Sequence, residues 1–138
     1  MEDTPELDPG RDWLAVVASE TIDEFAQAFA MDPILEASVL TTPVVGVAAI
    51  RAFFQATRSM YERITFTRES RSERQTYLEW VGEYRGRRVV GTTILTGDAA
   101  GAIKRIRLFH LPFDQLVAFA RDLDRRLISG CSESLDET

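Results

Sequence analysis

The sequence predicts an α+β domain, a cone in which a curved antiparallel sheet wraps round N-terminal helices and a C-terminal helix closes the chain. Three observations carry this. A long meander of strand patterns runs from Thr76 to Pro112, as YLEWVGEY, VVGTTILT and AIKRIRLFHLP, separated by the turn signals RGRR and GDAAG. Helical patterns come before it. One amphipathic helical pattern follows it. Helices grouped on one side of an antiparallel sheet are the α+β solution to burying one apolar face of each.

Residues 1–10 carry acids, two prolines and a glycine before any periodicity, and read as a flexible lead-in. Arg11 to Met31 is helical in pattern and falls in two pieces. Trp13, Val16 and Val17 mark the first face. Thr21 and Glu24 form a capping box that opens the second, with Phe25, Ala28 and Phe29 at helical spacing. Asp32-Pro33 is expected to end that helix, since proline cannot continue it. Ile34 to Leu40 (ILEASVL) reads as a first strand, and Thr42-Pro43 with Gly46 as a turn. Val47 to Tyr61 is the clearest helix, with Val47, Ile50, Phe53, Phe54, Thr57 and Tyr61 on one face. Ile64 to Glu69 is a strand and residues 70–75 a polar loop. After the meander, Pro112 opens the last helix, with Leu116, Phe119, Ala120, Leu123 and Leu127 on one side. The single domain thus spans 11–128, and 129–138 reads as a disordered acidic tail.

A chain of 138 residues is one domain by size. The net charge of −6 argues against nucleic acid as a partner, because such binding rests on clustered positive charge. Glu2, Asp3, Glu6, Asp8, Glu133, Asp136 and Glu137 lie in the two ends, so the centre is near neutral. The lone Cys131 cannot form an internal disulfide, which favours a reducing, cytoplasmic setting. No signal peptide or membrane-spanning pattern is read, so a membrane is not expected as a partner. One histidine and one cysteine make no zinc site, and GDAAG lies in a hairpin rather than at a strand-to-helix phosphate loop. No metal and no cofactor is expected.

Strand alternation sorts the meander into faces. Ile106, Leu108 and His110 share one, and Arg105, Arg107 and Phe109 the other. Leu78, Trp80 and Tyr84 share a face, as do Thr93 and Leu95. His110, the only histidine, is the candidate acid or base, since imidazole titrates near neutrality; the alternative is a core histidine bonded to backbone. Trp80, Tyr84, Phe25, Phe29, Phe54, Tyr61, Leu95 and Leu108 are candidate pocket residues, with core packing as the alternative for each and the favoured one for Phe25, Phe29, Phe54 and Tyr61. Glu79 and Glu83 oppose Trp80 and are expected to form a cross-strand ladder with Arg105 and Arg107 on the outer face, unless a register slip turns Glu79 inward.

The segments FAQAFAMDPILEASVLTTPVVGVAAIRAFF, SMYERITFTRE, TYLEWVGEYRG and GTTILTGDAAGAIKRIRLFHLPF, with the closing helix, resemble the SnoaL-like proteins of the nuclear-transport-factor-2-like superfamily over residues 13 to 128. The resemblance implies an α+β cone with a pocket between sheet and helices, and often a homodimer through the outer sheet face. Members include ketosteroid isomerases, epoxide hydrolases, polyketide cyclases and scytalone dehydratases, so the fold does not fix the reaction. The isomerase base position falls on Thr42, before Pro43-Val44. The epoxide hydrolase Arg–Asp pair falls on Tyr77 and Glu79, and its final Asp on Leu111. Cyclase members use an Asp or His in the pocket, which leaves His110. The His-Arg-Pro run of a related subgroup reads His110-Leu111-Pro112 here, without the Arg.

The expected function is binding of a small apolar molecule in a central pocket, with no established catalysis. One alternative is an acid/base enzyme of isomerase, dehydratase or cyclase type using His110. Another is a dimeric accessory or scaffold protein whose cone is filled.

Overall fold

The structure, a computed structural model, describes residues 8–136, with side chains through residue 128. Two short helices come first, α1 (Arg11–Val17) and α2 (Ile22–Ala26). Thr21 caps α2 by accepting from the Glu24 N–H at 3.1 Å, while Glu24 reaches back to the Glu20 N–H at 3.0 Å, so the capping signal in the sequence is real.

The chain leaves α2 earlier than its periodicity suggests. Strand β1 (Phe29–Ala37) begins at Phe29, so that residue and Met31 are not helical. Asp32-Pro33 does not end a helix. Asp32 adopts φ 52, and the pairing register shifts between Phe29 and Ile34, so the two residues form a bulge inside the strand. Asp tolerates this left-handed conformation better than most residues. The Thr42–Gly46 turn carries a two-residue strand, β2 (Val44–Val45), that pairs with Ile34 and Leu35.

Helix α3 (Val47–Met60) buries Ile50, Phe53, Phe54 and Thr57, as its spacing predicted, and Met60 as well. Strand β3 (Arg63–Ser72) is longer than expected. The expected polar loop at 70–75 shrinks to a tight hairpin at Glu73-Arg74, because Ser72 already pairs with Gln75. Strands β4 (Gln75–Tyr84), β5 (Arg87–Gly97) and β6 (Ile103–Leu111) form the meander. Arg85 and Gly86, both with positive φ, make the two-residue β4–β5 turn that suits right-twisted strands. At the β5–β6 turn the Asp98 carboxylate accepts from the N–H groups of Ala100 and Ala102, both at 2.9 Å.

The six strands form a curved, unclosed sheet in the order β2-β1-β6-β5-β4-β3. The sheet is mixed rather than wholly antiparallel, since β1 runs parallel to β6. The long path through α3 and the meander supplies the crossover that a parallel pair requires. Helix α4 (Phe113–Asp136) follows, and its helical backbone runs past residue 128, where the sequence set the start of the tail. Of the expected lead-in, residues 1–7 lie outside the described residues, as do the side chains of the tail.

The inner sheet face and the helices share one core. Leu78, Trp80, Tyr84, Val89, Leu95, Ile106 and Leu108 meet Ile50, Phe53 and Phe54 from α3, and Phe119 and Leu123 from α4. Burying each large apolar side chain contributes about 1.5–3 kcal/mol. Tyr84 fastens α4 to the sheet: its hydroxyl donates to Asp122 at 3.0 Å, and Arg126 donates to the same carboxylate at 3.1 Å. Burial opposes ionisation of Asp122, yet the hydrogen bonds from Arg126 and Tyr84 hold its carboxyl below the usual range.

Candidate functional site

Alternation on the meander sends Trp80, Thr93, Leu108 and His110 to the concave side of the sheet, and all four are buried. Helix α3 ends there. Its C-cap Tyr61 turns the chain into β3 and lies among these side chains. Together with α1 these elements frame a cleft of about 400 Å³. Its walls are mainly apolar: Trp13, Leu14 and Val17 from α1, Phe53 and Phe54 from α3, Ile64 and Phe66 from β3, then Trp80 and Leu108. Both tryptophans of the chain therefore line it.

Polar chemistry in the cleft is sparse. The Tyr61 hydroxyl lies 2.5 Å from His110 Nε2, with the two rings nearly parallel. Trp80 stands edge-on to both and donates from Nε1 to the Thr93 hydroxyl at 3.1 Å. Phe119 of α4 packs against Tyr61 and His110 from the other side. His110 is 5% exposed, and its backbone N–H donates to the Ser38 hydroxyl at 3.1 Å. Its Nδ1 is buried and has no hydrogen-bond partner among the described residues. Whichever ring nitrogen carries the proton, that atom stays unsatisfied.

Burial lowers the His110 pKa to about 4 and raises that of Tyr61. The pair is therefore neutral at neutral pH. Among the described residues, charge enters the lining only with Arg58, Glu62 and Arg63. The Glu62 carboxylate accepts from the Gly86 N–H at 2.9 Å, and one Arg58 nitrogen donates to the Val17 carbonyl at 3.2 Å.

Of the residues proposed from sequence, the structure brings His110, Trp80, Tyr61, Phe54 and Leu108 together in this cleft. It takes four others elsewhere. Tyr84 is sealed under α4, with Phe119 against its ring. Phe25 and Phe29 pack on each other, with ring centroids 4.8 Å apart. Leu95 lines a second cleft of about 400 Å³ at the far end of the sheet, with Trp13, Leu78 and Ile103. Face parity alone could not separate these, because the concave side is longer than the cleft and the helices cover much of it.

The template positions also resolve. Glu79 is exposed and faces outward. The outer charge pairing involves Glu36 and Arg105, at 2.6 Å across β1–β6, rather than Glu79 and Glu83 with the arginines of β6. Parallel β1 lies beside β6, where the sequence reading had β4 supply the acids. Thr42 and Leu111 are exposed.

Sequence reasoning missed Trp13, Thr57, Phe66, Thr93 and the charged trio as lining residues. Thr57 carried a signal, a polar residue on the apolar face of α3. Thr93 shares the inward parity of Leu95. Among the described residues no group of three or more His, Cys, Asp and Glu could hold a metal ion, and no helix is long and apolar enough to cross a membrane.

No family model matches the chain, and no curated protein matches its sequence. Solved structures do match. A steroid delta-isomerase from Pseudomonas aeruginosa superposes with a TM-score of 0.78 at 18% identity, covering 88% of this chain and 90% of that one. A protein with a ketosteroid isomerase-like fold from Catenulispora acidiphila, in complex with trimethylamine, gives 0.61 at 20% identity, covering 86% and 94%. A protein of the SnoaL-like family from Agrobacterium tumefaciens gives 0.58 at 18%, covering 75% and 94%. A helix-lined curved sheet with a parallel β1–β6 pair and a closing helix is thus the nuclear-transport-factor-2-like fold, in the form shared by ketosteroid isomerase-like and SnoaL-like proteins.

Proposed function

We propose that the cleft binds a small, mostly apolar molecule carrying one neutral hydrogen-bonding group, with Trp80, Tyr61, Phe54, Leu108 and His110 as its contacts. The observation that carries this reading is His110, buried in the wall of an open apolar cleft with Nδ1 unpartnered among the described residues. A buried polar atom left unsatisfied costs about 1–3 kcal/mol, which a ligand or a water reaching it would recover. The trimethylamine bound by one protein of the same fold supports a small-molecule site at the level of the fold only. A fully packed cone, as a scaffold protein would have, fits an open cleft of this size less well.

The test is fluorescence. N-phenyl-1-naphthylamine, a neutral apolar probe, is expected to quench tryptophan emission saturably, since both tryptophans line the cleft. His110→Leu is expected to weaken the binding of small ketones that compete with it. No saturable quenching by the probe would overturn the reading.

A second reading, acid/base catalysis, draws on the short Tyr61–His110 contact. It ranks lower because a histidine with a pKa of about 4 is a weak base at neutral pH, and a tyrosine raised above its usual value is a weak acid.

For assembly, we propose a homodimer through the outer sheet face. Phe109 is 47% and Leu111 62% exposed there, beside Tyr77, Val81, Val90 and Ile94. An apolar strip of this kind favours a protein partner over water.

A further inference from the structure

We propose that Thr93 sets the polar group of the ligand: its hydroxyl donates to an acceptor oxygen, so the cleft selects a small apolar carbonyl compound, a ketone, aldehyde or ester. This rests on the cleft being a ligand site and adds the sense of the hydrogen bond made there.

Thr93 lies on the concave face of β5, lines the cleft and is 1% exposed. Its setting follows from a missing side chain. Gly91, two residues earlier, pairs with Trp80 across β4–β5, and a Cβ on Gly91 would overlap the indole. The ring therefore crosses over Gly91 and brings Nε1 to the Thr93 oxygen at 3.1 Å. An indole N–H can only donate, so the threonine oxygen accepts in this contact. Its own proton points elsewhere, and among the described residues it meets no acceptor.

The other neutral hydroxyls of the lining are committed. Thr57 donates to the Phe54 carbonyl at 3.2 Å, and Tyr61 is bonded to His110. Thr93 alone among them is engaged only as an acceptor. Accepting from Trp80 polarises its O–H bond and makes it a better donor. A buried donor without a partner costs more than an ordinary hydrogen bond gains, so an acceptor brought to it by a ligand is favoured. A carbonyl oxygen meets this requirement. It has no proton that the apolar walls would leave unpaired. It also has two lone pairs, so accepting from Thr93 does not compete with a bond to His110. A carboxylate would lose its hydration to a neutral donor, with no opposite charge in return. A hydrocarbon would leave the hydroxyl unpartnered. Phe54, Phe66 and Leu108 then take the apolar body of the molecule.

Two compounds of one shape test this on the full chain: 2-acetylnaphthalene and 2-isopropenylnaphthalene, in which a CH₂ group replaces the ketone oxygen. Affinities are read from displacement of N-phenyl-1-naphthylamine. Thr93→Val keeps the shape of the side chain and removes the donor. It is expected to lower the ketone-to-alkene affinity ratio about 10-fold, equal to about 1.4 kcal/mol. Thr93→Ser, which keeps a hydroxyl, is expected to retain most of the ratio. A purely structural role for Thr93 would weaken both compounds alike. An unchanged ratio in Thr93→Val therefore overturns the proposal and leaves the cleft reading standing. The infrared carbonyl stretch of the ketone bound to the unmodified protein needs no variant to fold. It is expected at lower wavenumber than in hexane, and a stretch at the hexane position also overturns the proposal. If N-phenyl-1-naphthylamine itself does not bind, both readings fall together.

Discussion

The indole of Trp80 occupies the space that a side chain at Gly91 would need. The two residues are paired across β4–β5, and a Cβ built on Gly91 would overlap the six-membered ring of Trp80 and approach the Phe109 carbonyl at 2.7 Å. Glycine here lets the tryptophan lie flat on the sheet and form one wall of the cleft. Gly91→Ala is expected to destabilise the fold by about 1–3 kcal/mol through overpacking, and to shift tryptophan emission. Urea unfolding followed by fluorescence checks both, and unchanged stability would show that the indole has room to move.

His110 should make stability depend on pH. Its folded pKa of about 4 lies below the ordinary 6.5, so between these values the unfolded chain binds the extra proton. The contribution is present in full above about pH 6.5 and is lost as pH falls to about 4, amounting to roughly 3 kcal/mol. His110→Phe should flatten that part of the stability profile. An equal acid loss in variant and unmodified protein would mean that His110 is not held neutral.

Tyr61 and His110 should be energetically coupled. Tyr61→Phe leaves Nε2 without its partner, at a cost of about 1–3 kcal/mol. In a double-mutant cycle with His110→Phe, a coupling of about 1 kcal/mol is expected. Strictly additive losses would mean that the contact contributes nothing.

The assembly proposal is tested at Phe109. Phe109→Glu places a charge in the apolar strip of the outer face, and is expected to convert a dimer to a monomer without loss of the helical circular dichroism signal. Sedimentation at micromolar concentration reads the outcome. An unmodified protein that sediments as a monomer there would remove the basis for the interface.

Neither ketosteroids nor simple terpene epoxides are expected to be turned over. Thr42 and Leu111, which stand at the isomerase base and the final hydrolase acid, are both exposed, and Glu36 and Glu79 lie on the outer side. General-base catalysis contributes on the order of 10²–10⁴-fold, so little rate should remain when the lining carboxylate, Glu62, is turned to the Gly86 N–H. Robust turnover of either substrate, lost in Glu62→Gln, would identify Glu62 as a base and displace the binding-only reading.

Periodicity alone determined much of this protein. The spacing of Ile50, Phe53 and Phe54 marked helix α3 and its buried face, and alternation sorted Leu78, Trp80, Ile106, Leu108 and His110 from Arg105 and Phe109, because side-chain direction is set by local backbone geometry. The two-residue turn at Arg85-Gly86 was equally local. Tertiary structure decided what local geometry does not encode. The bulge at Asp32-Pro33 made a strand from a segment with helical spacing, because pairing with β6 outweighed propensity. Which inward residues meet open space was settled by where α1, α3 and α4 cover the sheet: Tyr84 is sealed under α4, while Trp80 and His110, on the same face, border the cleft. The Tyr61–His110 contact joins a helix end to a distant strand, and only the curvature of the sheet brings those two points together.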